Sequence, residues 1–171
     1  MQVTRSTDAA QSPPRILFFV PGGGFQLEAM ALLGKLGSAN TQIILPTDSV
    51  TTDWASSFVV HRLTPIHTRA RPTWTRRLQR IFSNVQASNR ILRESSPDFI
   101  ICVGSSFCVP MFFVARLKSI KCVFVESMAR VEGLSRTGQL IEFFGLADRI
   151  YVQWPELEVA GRQRIYKGGV L

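Results

Sequence analysis

The segment from Glu126 to Ser135 carries the densest set of side chains that can do chemistry. It places the carboxylates of Glu126 and Glu132, the guanidinium of Arg130 and two serine hydroxyls directly after an apolar run. Such a cluster can face a sugar or a phosphate, where a carboxylate serves as a general base or binds a hydroxyl. The alternative is a structural pair of Arg130 with either carboxylate that holds the loop. Both interpretations remain open at this point.

A turn of three glycines lies between an apolar run and a helical pattern. Gly22, Gly23 and Gly24 let the backbone approach a ligand closely, and the N-terminus of the next helix offers unpaired N–H groups to a phosphate. The turn matches neither G-x-G-x-x-G nor a P-loop, so neither a dinucleotide site nor an ATP site is indicated. We favour a phosphate or diphosphate site over a turn without a ligand. Glu28, in the first turn of that helix, is a partner of the helix dipole or of a ligand's hydroxyl group, and a plain helix cap is the alternative.

A second turn of small residues precedes a helix that starts near Pro110. Gly104, Ser105 and Ser106 put two hydroxyls at the end of an apolar run, as a ligand-facing turn would. An ordinary helix cap is the alternative.

The cysteines and histidines form no set with a recognisable spacing. Cys102, Cys108 and Cys122 lie among apolar neighbours, which is typical of small buried side chains in a reducing compartment. His61 and His67 flank a predicted strand, where structural or surface roles are the more common ones. We can place no Ser/His/Asp, Cys/His or metal-binding arrangement.

The chain has a net charge of +8, and much of its positive charge lies in one stretch. This favours a polyanionic partner, namely nucleic acid, an anionic membrane face or a phosphorylated substrate. A solvated basic helix face is the alternative. Arginines next to a tryptophan suit anionic headgroups, whereas the aromatics and recognition helix of a nucleic-acid-binding protein are missing. The candidate membrane-surface residues are Arg69, Arg71, Trp74, Arg76, Arg77 and Arg80.

Apolar runs alternate with helical patterns along the chain. We predict strands at 15–20, 41–45, 58–63, 98–103, 121–126 and 148–152, a short last element at 164–167, and helices at 26–36, 73–93, from about 109, and at 138–146. This alternation predicts an α/β fold with a Rossmann-like, mostly parallel sheet covered on both faces. Ligands of such sheets bind at the carboxyl ends of the strands, where all three polar turns lie.

Residues 1–14 are polar and are predicted to form a disordered N-terminal arm before a single domain at 15–171. The arm lacks the apolar stretch of a signal peptide, and no run of 18 uncharged apolar residues occurs. We therefore expect a protein that starts out soluble and cytoplasmic.

Several motifs together resemble the Alg-fourteen family of N-glycan assembly and the bacterial PssD-like exopolysaccharide proteins. The most specific are V-E-S-M-A-R-V-E-G-L-S at 125–135, Ala147-Asp148, and V-Q-W-P-E-L at 152–157. Pro97-Asp98, C-V-P at 108–110, the glycine turn with Glu28 and Y-K-G-G at 166–169 also match. The resemblance covers nearly the whole chain from Arg15.

The resemblance implies the N-terminal half of a GT-B glycosyltransferase, an acceptor-side subunit that is active only with a donor-binding partner. The expected partners are a PssE-like C-terminal-type half that holds the UDP-sugar, a polyprenyl-diphosphate-linked saccharide and an anionic membrane surface, with no nucleic acid. The implied reaction transfers a sugar from the UDP-sugar to that lipid-linked saccharide, inverts the anomeric centre and uses no metal or cofactor. The implied location is peripheral, on the cytoplasmic face of the plasma membrane.

One departure from the family concerns the first loop, which usually resembles G-S-G-G-H-T. Phe25 stands here at the histidine position. The predicted base is therefore Glu126, Glu132 or a residue of the partner. The residues predicted to bind the acceptor and its diphosphate are Gly22, Gly23, Gly24, Glu28, Gly104, Ser105, Ser106, Ser127 and Arg130.

A second departure is that the membrane helix at the N-terminus of eukaryotic members has no counterpart in this sequence, which favours a bacterial, peripheral version.

Two alternative functions remain. Phe25 favours a non-catalytic, membrane-recruiting scaffold or enhancer of a separate catalytic subunit. A self-sufficient nucleotide-binding domain is the weaker alternative.

Overall fold

One parallel sheet of seven strands organises the protein. The computed structural model describes residues 12–37, 40–49, 53–65, 74–160 and 163–171. The strand order is β3-β2-β1-β4-β5-β6-β7, and every neighbouring pair is parallel. The strands are β1 (Ile16–Phe19), β2 (Thr41–Pro46), β3 (Val59–Leu63), β4 (Phe99–Val103), β5 (Lys121–Val125), β6 (Arg149–Val152) and β7 (Arg164–Tyr166).

Four helices cover the two faces of the sheet. They are α1 (Phe25–Leu36), α2 (Trp74–Ser95), α3 (Val109–Leu117) and α4 (Arg136–Phe143), with single 3₁₀ turns at Asp53–Ser57, Ser106–Cys108 and Pro155–Leu157. Residues of α1 belong to the apolar cluster of one face. Residues of α2, α3 and α4 belong to the cluster of the other face. The predicted Rossmann-like α/β fold is confirmed.

The chain reverses its direction across the sheet between β1 and β4. From β1 it moves through α1 to β2, whereas from β4 it moves through α3 to β5 on the opposite side. Right-handed crossovers then place α1 and α3 on opposite faces, which opens a crevice at the carboxyl ends of β1 and β4. The glycine turn at 22–24 and the turn at 104–106 lie on the two sides of this crevice.

Helix α2 extends past the carboxyl edge of the sheet. Its 22 residues are about 33 Å long, roughly twice the length of a five-residue strand. Asn84, in its middle, donates a hydrogen bond of 2.9 Å to the carbonyl oxygen of Thr64, just after β3. Residues 74–83 therefore project beyond that edge, and we call them the projecting end of α2. Its apolar stripe is exposed there, and only later residues such as Ile91 and Leu92 are buried.

The predicted helix at 138–146 needs correction at both boundaries, since α4 ends at Phe143 rather than at Leu146. Helix α4 begins at Arg136 rather than at Gly138, because the Ser135 hydroxyl caps it by accepting the N–H of Gly138 at 3.0 Å. The short last element is a seventh strand, β7, paired with β6. The predicted disordered arm falls mainly on residues 1–11, outside the described residues.

None of the helices in the described part of the chain combines the length and the apolar composition that crossing a bilayer requires.

Candidate functional site

The predicted polar turns meet at the carboxyl edge of the sheet. The strand ladders continue into the turns, where the Gly104 N–H donates to the Val125 carbonyl and the Glu126 N–H donates to the Tyr151 carbonyl, both at 2.8 Å. This brings the turn at 104–106 next to the segment from 126 to 135. The glycine turn lies on the other side of the crevice.

The glycine turn is open to solvent. Gly22, Gly23 and Gly24 are exposed, and a Cβ built on any of them would meet nothing within 4 Å. Gly23 has a φ of +72°, which favours glycine. Helix α1 starts at Phe25 without a side-chain cap. Among the N–H groups of its first turn, that of Gln26 donates to the Gly23 carbonyl at 3.1 Å. The arrangement suits the approach of an anion.

Phe25 forms the wall between the two turns. Its half-buried ring lies against the backbone of Gly104, where an added Cβ would come within 2.5 Å of the ring. Gly104 also has a φ of +63°. Both the contact and the backbone angle therefore require glycine at position 104. Phe25 supplies a packing contact, and its side chain has no group that can transfer a proton.

Ser105 caps the 3₁₀ turn Ser106–Cys108, as in the alternative to a ligand-binding role. Its hydroxyl accepts the Phe107 N–H at 3.3 Å. Ser105 and Ser106 are both half-buried at the edge of the crevice.

Glu126 lies inside the protein, with no exposed surface. One carboxylate oxygen accepts the Ser127 N–H at 3.1 Å, and the other accepts the N–H and the hydroxyl of Ser135 at 2.9 and 3.0 Å. Burial raises the pKa of Glu126, although these donors oppose the shift. The side chain thus connects the two ends of the loop at 127–135. This position does not favour the predicted role as a base, since the carboxylate does not reach the crevice.

Glu28 is also buried and fully engaged. Its carboxylate accepts the Ser127 hydroxyl at 2.6 Å and the Met128 N–H at 3.0 Å. It also accepts the side-chain amide of Gln153 at 2.7 Å. The predicted hydroxyl ligand therefore has an internal role, in which α1 holds the loop after β5.

Gln153 was not among the site residues predicted from the sequence, although it lies in the V-Q-W-P-E-L motif at 152–157. Its amide nitrogen also donates to the Glu126 carbonyl at 2.9 Å, and its amide oxygen accepts the Val170 N–H at 2.9 Å. Next to it, the indole N–H of Trp154 donates to the Met128 carbonyl at 2.7 Å. The sequence did contain a signal for Gln153 and Trp154, because the Q-W-P segment directly follows a buried strand, where site residues are expected.

Arg130 and Glu132 remain exposed on the loop that these contacts fix. No direct salt bridge in the described part of the chain joins Arg130 to Glu126 or to Glu132, although the charge of Arg130 is among the influences that oppose the rise that burial causes in the pKa of Glu126. Glu132 is the predicted carboxylate that solvent and a ligand can reach.

The remaining candidates lie away from the crevice or in the interior. His61 on β3 bonds to the side chain of Gln42 at 2.7 Å, and burial lowers its pKa. All three cysteines are buried and unpaired, and burial raises the pKa of Cys122 to about 12. Among the residues with a described position, no three His, Cys, Asp or Glu side chains group as a metal site would require. His67 is outside the described residues.

The predicted membrane-surface residues lie only partly in the described ranges. Arg69 and Arg71 fall outside them, and the side chain of Arg77 is not described. On the projecting end of α2, Trp74 is 73% exposed and Phe82 is 65% exposed. The neighbouring exposed or half-exposed residues are Arg76, Leu78, Arg80 and Ile81.

Sequence comparisons identify related proteins over nearly the whole chain. A family model described as "Oligosaccharide biosynthesis protein Alg14 like" matches residues 16–170. The UDP-N-acetylglucosamine transferase subunit ALG14 of Homo sapiens is 28% identical, over 99% of this chain and 89% of that protein. The protein of the same name from Mus musculus is 27% identical, over 92% of this chain and 83% of that protein.

Solved structures of GT-B glycosyltransferases share the fold. MurG of Acinetobacter baumannii matches with a TM-score of 0.66 and 15% identity, over 91% of this chain and 45% of MurG. A UDP-glucosyltransferase from Polygonum tinctorium matches with a TM-score of 0.58 and 13% identity, over 94% of this chain and 53% of that enzyme. This chain therefore spans about half the length of each of these enzymes.

We expect Gly138→Ala to destabilise the protein by about 1–3 kcal/mol, because the new methyl group would collide with the Glu126 carboxylate. Gly34→Ala is the matched control, since Gly34 also lies in a helix but has nothing within 4 Å of an added Cβ. The control variant should leave the free energy of unfolding unchanged or raise it by up to about 1 kcal/mol. Urea unfolding measures both changes, and equal stability of the two variants would contradict the account.

We expect Gln153→Glu to make stability depend on pH. The new carboxyl group would face the Glu28 carboxylate and the Glu126 carbonyl, so it fits only when protonated, and its folded-state pKa must lie above the unfolded value. Below the unfolded pKa the variant should approach wild-type stability. As the pH rises through the folded pKa, it should lose about 3 kcal/mol.

The control for this change is Gln86→Glu on α2, at an exposed position where a carboxylate stays hydrated. Unfolding free energies from pH 4 to pH 8 test the difference between the two variants. Parallel pH profiles for Gln153→Glu and Gln86→Glu would show that Gln153 does not face Glu28.

Proposed function

Because this chain belongs to the Alg14-like family of oligosaccharide biosynthesis proteins and is a glycosyltransferase subunit, we propose that it forms the acceptor side of a two-component enzyme. With a separate donor-binding subunit, it transfers a sugar from a UDP-sugar to a polyprenyl-diphosphate-linked saccharide. The names of the relatives make UDP-N-acetylglucosamine the first donor to test. The observation that carries the proposal is the extent of the match. The family match spans one seven-stranded sheet, and the same fold fills about half of MurG.

The geometry of the crevice supports binding of the acceptor. The glycine turn offers backbone N–H groups to the diphosphate, and the turn at 104–106 lines the opposite side. Arg130 is exposed on the fixed loop and can pair with the same anion. In this arrangement the saccharide lies over the loop that carries Glu132.

We assign the base or hydroxyl-binding role to Glu132. It is exposed on a loop whose two ends are fixed by buried carboxylates, and this combination of access and fixed position suits proton transfer. Glu126 and Glu28 act as positioning residues, because the hydrogen bonds of both carboxylates are used inside the protein. The alternative is a base supplied by the partner subunit, and the transfer assay below distinguishes it from Glu132.

The projecting end of α2 supports attachment to a membrane. Trp74 and Phe82 are exposed on one side of this helix end, Arg76 is exposed on another side of the same turns, and the chain as a whole carries a net charge of +8. Aromatic side chains enter the headgroup region, and each basic residue adds about 1 kcal/mol near an anionic surface. We place the subunit on the cytoplasmic face of the plasma membrane, with a PssE-like partner, in exopolysaccharide biosynthesis.

A second candidate function is a scaffold that recruits the catalytic subunit to the membrane. Phe25 favours it, because the position where the family usually has a histidine holds a packed ring. In the scaffold case the partner alone turns over a water-soluble acceptor equally fast with and without this chain. In the two-component case that turnover requires this chain.

We expect Glu132→Gln to lower kcat of the reconstituted pair by about 10²–10⁴-fold, the contribution of a general base. The assay measures transfer from UDP-N-acetylglucosamine to a polyprenyl-diphosphate-linked saccharide. Glu94→Gln is the control, since Glu94 is an exposed carboxylate near the end of α2, at the opposite edge of the sheet. If the Glu132→Gln variant keeps the wild-type kcat, Glu132 is not the base, and the partner subunit supplies it.

We expect Trp74→Ser and Phe82→Ser each to weaken binding to anionic phospholipid vesicles by about tenfold, since each removes an aromatic side chain that the headgroup region would bury. Arg76→Gln should weaken it by about fivefold, and the effect should diminish in high salt. Vesicle co-sedimentation measures the affinities, with zwitterionic vesicles and the distant exposed change Val59→Thr as controls. Unchanged binding in all three variants would exclude this surface as the anchor.

A further inference from the structure

An apolar groove runs between α2, α3 and α4 on one face of the protein. It has a volume of about 520 Å³, and apart from Arg116 its lining side chains are all apolar. Leu117 is 73% exposed and Phe144 is 63% exposed. The neighbouring Phe143, whose ring meets that of Phe144 edge to face, is 83% exposed. The described part of the chain leaves this apolar surface uncovered, which is typical of an interaction site.

The groove leads away from the candidate acceptor site. Helix α3 follows the carboxyl end of β4 and returns to the amino end of β5, so Leu117, its last residue, lies towards the amino edge of the sheet. The crevice with the glycine turn lies at the carboxyl edge. An occupant of the groove therefore leaves the crevice open.

Basic side chains gather at the far end of the groove. Arg116 lines the groove itself, Lys118 follows α3 and Arg149 begins β6, and all three are exposed. Within the described ranges, no salt bridge engages any of these three. Asp148 lies at the same end, where it pairs with Lys121 at 3.1 Å and where the charge of Arg116 also acts on it. This end of the groove therefore carries an excess of positive charge, and the groove lining offers no carboxylate.

Charge and shape together select the occupant. A second copy of the chain would bring two basic surfaces together, and the net charge of +8 adds to that repulsion. A bilayer presents a broad surface, whereas a groove between helices matches the single apolar stripe of a docked helix. The nine residues of α3 span about 13 Å, and apolar anchors at i, i+4 and i+7 of a docked helix span about 11 Å.

We propose that this groove binds an amphipathic helix of a partner protein, whose apolar stripe fills the groove and whose acidic residues pair with Arg116 and its basic neighbours. The contact holds the subunit beside a second protein while the crevice stays accessible. The inference goes beyond the proposed function and does not depend on the identity of the acceptor.

Binding of a synthetic helical peptide to the chain tests this directly. The peptide has about 18 residues, long enough to hold a helix, with leucines at i, i+4 and i+7 and glutamates on its other face. We expect it to bind at least tenfold more tightly than the same peptide with lysines in place of the glutamates. It should exceed by as much a peptide of equal composition whose leucines are scattered around the helix. Fluorescence anisotropy of the labelled peptides gives the affinities.

Variants locate the binding within the protein. Leu117→Gln and Phe144→Gln should each weaken binding of the acidic peptide by about tenfold. Arg116→Gln should weaken it by up to about fivefold and leave the lysine peptide unaffected. Leu36→Gln is the matched control for Leu117→Gln, because Leu36 is also the exposed last residue of a helix but lies outside the groove. All four positions are exposed, so the variants should fold.

Four results would overturn the inference. Equal affinity of the three peptides would show that the groove recognises neither the apolar stripe nor the charge. An equal effect of Leu117→Gln and Leu36→Gln would place the binding elsewhere. Loss of vesicle binding in Leu117→Gln, as large as in Trp74→Ser, would assign the groove to the bilayer. Dimerisation of the chain that Leu117→Gln abolishes would assign it to a second copy.

The outcome is separate from that of the proposed function, because the peptide assay uses neither a sugar donor nor an acceptor. Groove-dependent peptide binding together with failure of sugar transfer by the reconstituted pair would refute the proposed function and leave the docking site in place.

Discussion

Two buried carboxylates determine the shape of the candidate site. Glu28 and Glu126 come from different elements, yet both accept hydrogen bonds from the segment that starts at Ser127. A buried carboxylate is costly unless donors replace its lost hydration, so each oxygen that lacks a partner would destabilise the fold. Gln153 joins the two residues by donating to the Glu28 side chain and to the Glu126 backbone. The loop after β5 is therefore fixed at its ends, and its middle stays exposed.

The position of the site follows from the topology. Because the chain reverses direction between β1 and β4, helices leave the two central strands on opposite faces and open a crevice at their carboxyl ends. Phe25 and Gly104 pack across this crevice, and the glycine turn is left free for an anion. On the other side of the sheet, α2 is too long for the strands it crosses, and its projecting end carries apolar and basic side chains into solvent. One fold thus supplies an open glycine turn, an accessible carboxylate and an exposed surface of apolar and basic side chains.

Most of the fold was predictable from the sequence, because buried parallel strands are continuous apolar runs. Leu17, Phe18 and Phe19 are all fully buried in β1, and the glycine turn follows directly. The contacts within the site were not predictable, since the Gln153 and Glu28 side chains that meet are 125 residues apart. Helical periodicity predicted the apolar stripe of α2, but it does not indicate which other elements pack against that stripe. The exposure of Trp74 is therefore known only from the structure. The roles of Glu126 and Glu132 are alike in sequence, and burial alone distinguishes them.

The central claim is that this chain supplies the acceptor side and needs a partner for the donor. Titration of the isolated chain with UDP-N-acetylglucosamine tests it most directly, compared with the same titration of the chain bound to its partner. The account predicts that the isolated chain shows no binding at millimolar donor and that the complex binds it. Micromolar binding of the donor by the isolated chain would contradict the account and would indicate a self-sufficient nucleotide-binding domain.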